Sequence, residues 1–321
     1  MWIKGGRMNR NHRHKKMIPF TLVLGGGGAR GLAHIGVLKA LERNDFMPSL
    51  IVGTSMGALV GAMYAQLLDA ELVKEKIRTF LQGDFFRQIG LEQFSESDAD
   101  SSTSVWERFA AHLRQRYFLS KSALGSGAFA QKALLQSLGM LLNDGDIRDL
   151  PLRFAAVTSD LVTGQEFTLT SGAIITAVAA SSAVPGIVAP LAVGPRLFID
   201  GTVTSTIPVA AARSLSKNPV IAVDVRHSLG GFENHRHGIE VVIRAGEVTS
   251  YKLNDLQLQQ ADIVLKPDVA DFLWNEFHRI DQCIRAGEQT VEGNLRQLTD
   301  RLVKHSFRNG IKKLRARYSS Q

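Results

Sequence analysis

Three short stretches carry residues that could do chemistry together. The first is GTSMG, Gly53–Gly57, a G-x-S-x-G in which Ser55 stands between small residues. The apolar segment SLIVG runs into it and an apolar helix-like segment runs out, the setting of a sharp strand-to-helix turn that exposes a serine hydroxyl. A serine in such a place is either a nucleophile or a plain helix cap. The second stretch is Gly25–Gly28, inside TLVLGGGGARGLAHIGVLKAL. Consecutive glycines weaken any element that holds them, so the backbone there must come very close to something or take a positive φ. The third is LFIDGT, which puts Asp200 at the end of an apolar segment and before a glycine turn. An aspartate at that point serves as a turn residue or, if buried, as a base.

Gly26, Gly28 and Gly31 also spell G-x-G-x-x-G, the phosphate-binding turn of dinucleotide folds. That reading expects an acidic residue near the end of the second strand to hold a ribose, and here the strand runs into Thr54 and Ser55 instead. Adjacent loops at the ends of parallel strands lie side by side, so N–H groups of the glycine run would face the space above Ser55. Acyl transfer needs such donors for its oxyanion. The base stays open on the residues alone: Asp200, or a histidine from His227, His235 and His237 in the polar segment after VIAVDV. No His, Cys or Asp cluster has ligand spacing, so neither metal nor other cofactor is expected.

The elements that must position these residues follow from periodicity. Phe20–Leu24, SLIVG, RFAAVTSDL, QEFTLTS, RLFIDGT, VIAVDV and ADIVLKP read as strands, with a turn at Thr163-Gly164. Helices are expected over ARGLAHIGVLKALERN, over Met56–Gln82 without a break, over GAFAQKALLQSLGMLL, over GAIITAVAASSAVPG up to Pro185, and from Asp271 onward. Strand and helix alternating at this spacing imply parallel pairing with right-handed crossovers. A polar, serine-rich excursion, 91–125, contains the amphipathic stretch VWERFAAHLRQRYFL, whose apolar face suits a lid or interfacial helix as well as a core contact.

Composition sets the outer bounds. The 321 residues are 45% hydrophobic and 21% charged, with a net charge of +8 concentrated in basic ends, residues 1–17 and 301–321. Those ends suit either solvated tails or attraction to anionic lipid. Nucleic acid is not expected, since no binding module or aromatic interleaving accompanies the charge. The single cysteine, Cys283, forms no intramolecular disulfide and fits a reducing, cytoplasmic compartment. The short apolar run after the basic start ends in the glycines, so it reads as a buried strand and not as a signal peptide.

GGGARG, GTSMG and DGT, in this order and spacing, resemble the patatin-like phospholipases, above all the bacterial branch related to the catalytic domain of neuropathy target esterase. ASSAVPG, Ala180–Gly186, strengthens the resemblance, which extends over about Pro19–Arg296 outside the excursion. It implies a three-layer α/β/α fold with a mainly parallel central sheet, in one acyl hydrolase domain over 18–300. It further implies a Ser-Asp dyad without histidine, Ser55 as nucleophile and Asp200 as base, and an oxyanion hole at Gly27 and Gly28 with Gly26 adjacent. Arg30 would hold the loop or meet a substrate phosphate. Gly25 and Thr202 depart from the residues commoner at those positions, aspartate and then glycine or alanine. The expected activity is hydrolysis of fatty-acyl esters of phospholipids or lysophospholipids, with peripheral docking on an anionic membrane surface from the cytoplasm. The rival readings are a regulatory lipid-binding protein with little turnover and a nucleotide-binding protein of the Rossmann type.

Overall fold

The computed structural model describes residues 19–89, 126–229 and 238–303. The expected excursion 91–125, the 1–17 tail, nearly all of the 301–321 tail, His235 and His237 lie outside the described residues.

Eight strands form one mixed, mostly parallel sheet: β1 (Thr21–Leu24), β2 (Leu50–Thr54), β3 (Arg153–Asp160), β4 (Glu166–Leu169), β5 (Leu191–Val193), β6 (Arg196–Asp200), β7 (Val220–Val223) and β8 (Ile263–Leu265). Strands β3, β2, β1, β7 and β8 pair in parallel in that order. Strands β4 and β6 pair antiparallel with β3, and β5 with β6. The helices are α1 (Ala33–Arg43), α2 (Met56–Leu67), α3 (Ala70–Gln82), α4 (Asp84–Ile89), α5 (Ser126–Leu141), α6 (Ile174–Ser181), α7 (Val209–Leu215), α8 (Gly238–Leu258) and α9 (Ile280–Gly293).

Alternation along β1 shows why there are three layers. Phe20, Leu22 and Leu24 point into a large core shared with α1, α2, α3 and α9, while Val23 joins a second core with Val209 and Ala212 of α7 and Leu258 of α8. A strand buried on both faces needs an almost continuous apolar run, which TLVL and LIVGT supply apart from the buried threonines, Thr21 opening the first and Thr54 closing the second.

Two expectations need correction, and one strand lies outside them. The helix read across Met56–Gln82 breaks: Leu68 takes the left-handed conformation (φ 52°) and Asp69 caps α3 by accepting from the Leu72 N–H. A short polar cap outweighs continuous helical periodicity. Residues Asp271–Glu276 are not helical; a 3-10 turn, Phe277–Arg279, precedes α9. Strand β5 was not anticipated, because Leu191–Val193 is too short and too close to Pro190 to stand out.

The α1–α9 contact fixes everything that follows the glycine run. A Cβ on Gly36 would strike the carbonyl of Ile284, and one on Gly287 would strike the carbonyl of Ala33. The two backbones touch because both residues lack side chains. Gly36→Ala and Gly287→Ala should therefore each lower the unfolding free energy by about 1–3 kcal/mol in urea titrations. Gly139→Ala, on an exposed part of α5 with open space around it, should be neutral or stabilising by up to about 1 kcal/mol.

Candidate active site

Strand β3 brings the two reacting groups together. Ala156 and Val157 pair with both β2 and β4, so these two strands lie on opposite edges of β3. Thr158 and Ser159 pair with both β4 and β6, so β6 also lies opposite β4. Strands β2 and β6 therefore meet end to end along one edge of β3. Thr54 faces Val157 and Asp200 faces Thr158, one residue further on. Ser55, the first residue after β2, thus arrives at Asp200, the last residue of β6.

Ser55 takes φ 54° and ψ −121°, a left-handed conformation away from that of ordinary helix ends. Such a backbone costs a non-glycine residue about 1–3 kcal/mol and persists only where its surroundings enforce it. The enforcement is visible. The Ser55 N–H donates to Ser181 Oγ at 2.9 Å, and Ser181 donates in turn to the Val157 carbonyl at 2.5 Å. Thr54 Oγ1 donates to the Ser205 carbonyl at 3.0 Å. Gly53 and Gly57 must lack a Cβ, since one on Gly53 would enter the Gly57 carbonyl and one on Gly57 would enter that of Leu24. The Ser55 hydroxyl makes no cap to α2, so the plain N-cap reading does not hold.

Asp200 is 1% exposed. Its Oδ1 accepts from the Thr202 N–H at 2.8 Å, the turn role expected of such an aspartate. Its Oδ2 is buried without a hydrogen-bond partner, and the hydroxyls of Ser55 and Thr202 both act on the carboxylate. Burial pushes the carboxyl up to about 6, against the smaller opposing pull of the Thr202 N–H and of the Ser55 and Thr202 hydroxyls. Neutralisation relieves the cost of a charge out of water.

The glycine run lies over this pair. The nearest atoms to a Cβ on Gly26 would be Thr202 Cγ2 and Ser55 Cβ. Gly25 N–H donates to the Val223 carbonyl at 3.2 Å and Gly26 N–H to that of Thr206 at 2.9 Å. His34 Nε2 meets the Gly25 carbonyl at 2.7 Å and must carry the hydrogen there. That ring is fully buried and its pKa falls to about 4 for that reason, so it is neutral. Ala29 N–H donates to the Trp274 carbonyl at 2.6 Å. Among the described residues, the N–H groups of Gly27 and Gly28 are donated to nothing. Gly28 has φ 58°, and a Cβ on it would strike the Trp274 carbonyl.

The remaining sequence candidates fall elsewhere. Arg30 Nη1 donates to the Phe272 carbonyl at 3.0 Å, and burial lowers its pKa to about 10. It holds the segment 272–274 against the glycine loop. His227 is half-buried; desolvation and the nearby Arg30, Arg244 and Arg226 hold it down at about 4, and it is not among the groups acting on Asp200. Cys283 is buried, with its thiol pushed up to about 12, and is no nucleophile. Ser181, His34 and Asn254, which donates to Thr206 Oγ1 and accepts from the Ile207 N–H, were not singled out from sequence. A serine closing the apolar helix ITAVAAS and a histidine on the apolar face of α1 were the available signals.

A model of the patatin-like phospholipase family matches residues 22–213, which include the glycine loop, Ser55 and Asp200. Over 208 residues, 64% of this chain, the sequence is 34% identical to patatin-like phospholipase domain-containing protein 6 of Homo sapiens, of which the match spans 13%. Over 303 residues, 87% of this chain, it is 26% identical to an uncharacterized NTE family protein of Mycobacterium tuberculosis, of which the match spans 47%. The chain therefore covers half or less of these curated relatives. The crystal structure of the type III effector protein ExoU aligns over 88% of this chain and 53% of that one, with 16% identity and a TM-score of 0.37.

The buried carboxyl has a consequence for stability. Its folded pKa of about 6 lies above the ordinary value of 3.8, so the folded state binds the proton more tightly than the unfolded chain does. The stability this gives is complete below pH ~4 and is lost as pH rises through about 6. Asp200→Asn, which keeps an acceptor for Thr202, should raise the unfolding free energy at pH 8 by up to about 3 kcal/mol. The gain should vanish below pH ~4 in denaturant titrations.

Proposed function

Because this chain belongs to the patatin-like phospholipase family, we propose that it is a serine acyl hydrolase cleaving fatty-acyl esters of phospholipids or lysophospholipids through Ser55 and Asp200. The observation that carries this reading is a buried carboxylate, Asp200, acted on by the hydroxyl of a strained serine, with two uncommitted N–H groups in the adjoining glycine run. The lipid substrate class follows from the family.

Ionised Asp200 takes the Ser55 proton on Oδ2 as Oγ attacks the ester carbonyl. The carbonyl oxygen becomes an oxyanion and accepts from the Gly27 and Gly28 N–H groups; Gly26, whose own N–H is held by Thr206, supports the loop. The positive end of α2 adds to the field at that oxygen. The tetrahedral intermediate collapses, the protonated Asp200 returns its proton to the leaving alcohol, and an acyl-enzyme remains on Ser55. Water, deprotonated by Asp200, attacks the acyl carbon, and Asp200 returns that proton to Ser55 Oγ as the acyl–Oγ bond breaks and the fatty acid leaves. A pKa near 6 leaves the carboxylate ionised at neutral pH and a better base than an exposed aspartate.

A lipid-binding protein without turnover would share the pocket but not the reactivity. A Rossmann-type nucleotide site is disfavoured because Thr54 ends β2 and its hydroxyl is spent on the Ser205 carbonyl. Labelling by a fluorophosphonate separates these readings: modification at Ser55 supports the hydrolase, and tight nucleotide binding with no labelling overturns it.

Ser55→Ala and Asp200→Asn should each abolish fatty-acid release from phosphatidylcholine and lysophosphatidylcholine by roughly 10⁴-fold or more, with the double variant scarcely worse. The parent rate should rise with pH through about 6, as Asp200 ionises. His227→Ala should retain both the rate and the profile; a loss comparable to that of Asp200→Asn would install a histidine as base.

Gly27→Val would press a Cβ on the Val225 side chain and displace the Gly27 N–H. It should lower kcat roughly 10²–10³-fold with KM little changed. An effect confined to KM would assign the loop to binding instead.

A further inference from the structure

Hairpin tips of globular proteins usually carry polar turn residues. Two adjacent tips here read LVTGQ (Leu161–Gln165) and LAVGP (Leu191–Pro195), without one charged residue. Leu161 is 53% exposed, Val162 67% and Val193 36%. The tips are joined: Leu161 N–H donates to the Leu197 carbonyl at 2.8 Å, and Arg196 Nη1 to Asp160 Oδ2 at 2.8 Å.

Several polar groups of the first tip are paired within it. Val162 N–H donates to Asp160 Oδ1 at 3.1 Å, Thr163 Oγ1 to Asp160 Oδ2 at 2.9 Å, and Gly164 N–H to the Asp160 carbonyl at 2.8 Å. The second tip closes through Gly194, at φ 58°, and Pro195, which has no N–H to satisfy. Each amide paired within a turn lowers the cost of approaching an apolar medium, where an unpaired one is costly.

The tips stand at the catalytic end of the sheet. Leu161 lies four residues beyond Val157, the partner of Thr54, so it projects about 13 Å past the elbow at ~3.3 Å per residue. Interfacial elements sink roughly 5–10 Å into a bilayer. Arg196 sits at the root of the tips, 39% exposed and with its guanidinium 4.3 Å from the Phe167 ring centre, where a cation would meet lipid phosphates.

We propose that these two tips seat the protein on a lipid bilayer, inserting Leu161, Val162 and Val193 so that Ser55 faces the ester-bearing headgroup layer. The choice of a bilayer as occupant rests on the lipid-ester reading of the site.

The test compares the full chain with Leu161→Asp/Val162→Asp and with Val162→Trp. Co-sedimentation with neutral phosphatidylcholine vesicles excludes simple attraction of the basic ends to anionic lipid. The double aspartate variant should bind at least tenfold more weakly and lose vesicle hydrolysis in proportion. It should keep its kcat/KM on a water-soluble butyrate ester, which also shows that it is folded. Val162→Trp should bind several-fold more tightly, as an aromatic residue does at an interface. Unchanged vesicle binding by both variants overturns the proposal. So does an aspartate variant that abolishes self-association of the parent while leaving vesicle binding intact. Should the parent hydrolyse neither ester, the acyl-hydrolase reading fails, and the vesicle-binding arm still decides the docking surface.

Discussion

Everything in the site depends on one edge of β3 being shared by two strands. Strand β2 uses that edge as far as Val157, and β6 takes it over at Thr158, running the opposite way. The handover leaves no room for another residue between them, so the end of each strand is fixed by the end of the other. Val157 shows how tightly the junction is filled. It pairs with Thr54, its carbonyl accepts from Ser181 Oγ, and the same carbonyl forbids a Cβ at Gly201. Thr158, the next residue, donates to the carbonyls of Ile199 and Ala180. Helix α6 is thereby tied to the same two positions as the dyad. Within hydrogen-bonded β structure, a change of register of one residue would turn the side chains to the opposite face.

The same junction explains the electrostatics. A carboxylate at the end of an edge strand would normally face water and keep a low pKa. Here the overlying glycine loop and the crossover segments around Thr202–Ile207 cover Asp200, while the turn satisfies just one of its oxygens. The fold accepts an unstable charge and a strained serine side by side; Asp200→Asn relieves the first, and only a glycine at position 55 would relieve the second. Such local sacrifice of stability is expected where reactivity needs it. His34 titrates with the opposite sign: held at about 4, it stabilises the folded chain only as pH rises from that value towards its ordinary 6.5, where it is neutral in both states.

How far the sequence revealed this depends on the distance over which each feature is specified. The elbow and the glycine run were legible because their glycines cluster within a few residues, although only Gly53 is dictated by a near neighbour, Gly57, while Gly57 and Gly28 answer to the distant carbonyls of Leu24 and Trp274. The parallel strands were legible because burial on both faces demands uninterrupted apolar runs. The pairing of Ser55 with Asp200 came from the order of motifs and the resemblance, since nothing between residues 55 and 200 states that β6 will run antiparallel into the end of β2. Ser181, Asn254 and the 272–274 segment were missed for a related reason. Each acts through a hydrogen bond across a long sequence separation, from a residue type common in unremarkable places. The break at Leu68 was missed because periodicity continues through it and only Asp69 marks the new start.

Thr202 shows how a departure from the common motif becomes a constraint. Its N–H fixes Asp200 Oδ1, and its hydroxyl joins that of Ser55 in acting on the carboxylate. Its methyl group fills the space that a Cβ on Gly26 would need. Its carbonyl accepts from Thr206 Oγ1, which Asn254 also holds, and the Thr206 carbonyl in turn receives the Gly26 N–H. The residue following the base therefore sets the height of the glycine loop over the nucleophile through a closed circuit of contacts. A glycine or alanine there could still cap the carboxylate, but it would not close that circuit. Gly26 is thus constrained on two sides, by Thr202 against a side chain and by Thr206 against rotation of its peptide. Gly27 and Gly28, which follow it, donate their N–H groups to nothing among the described residues.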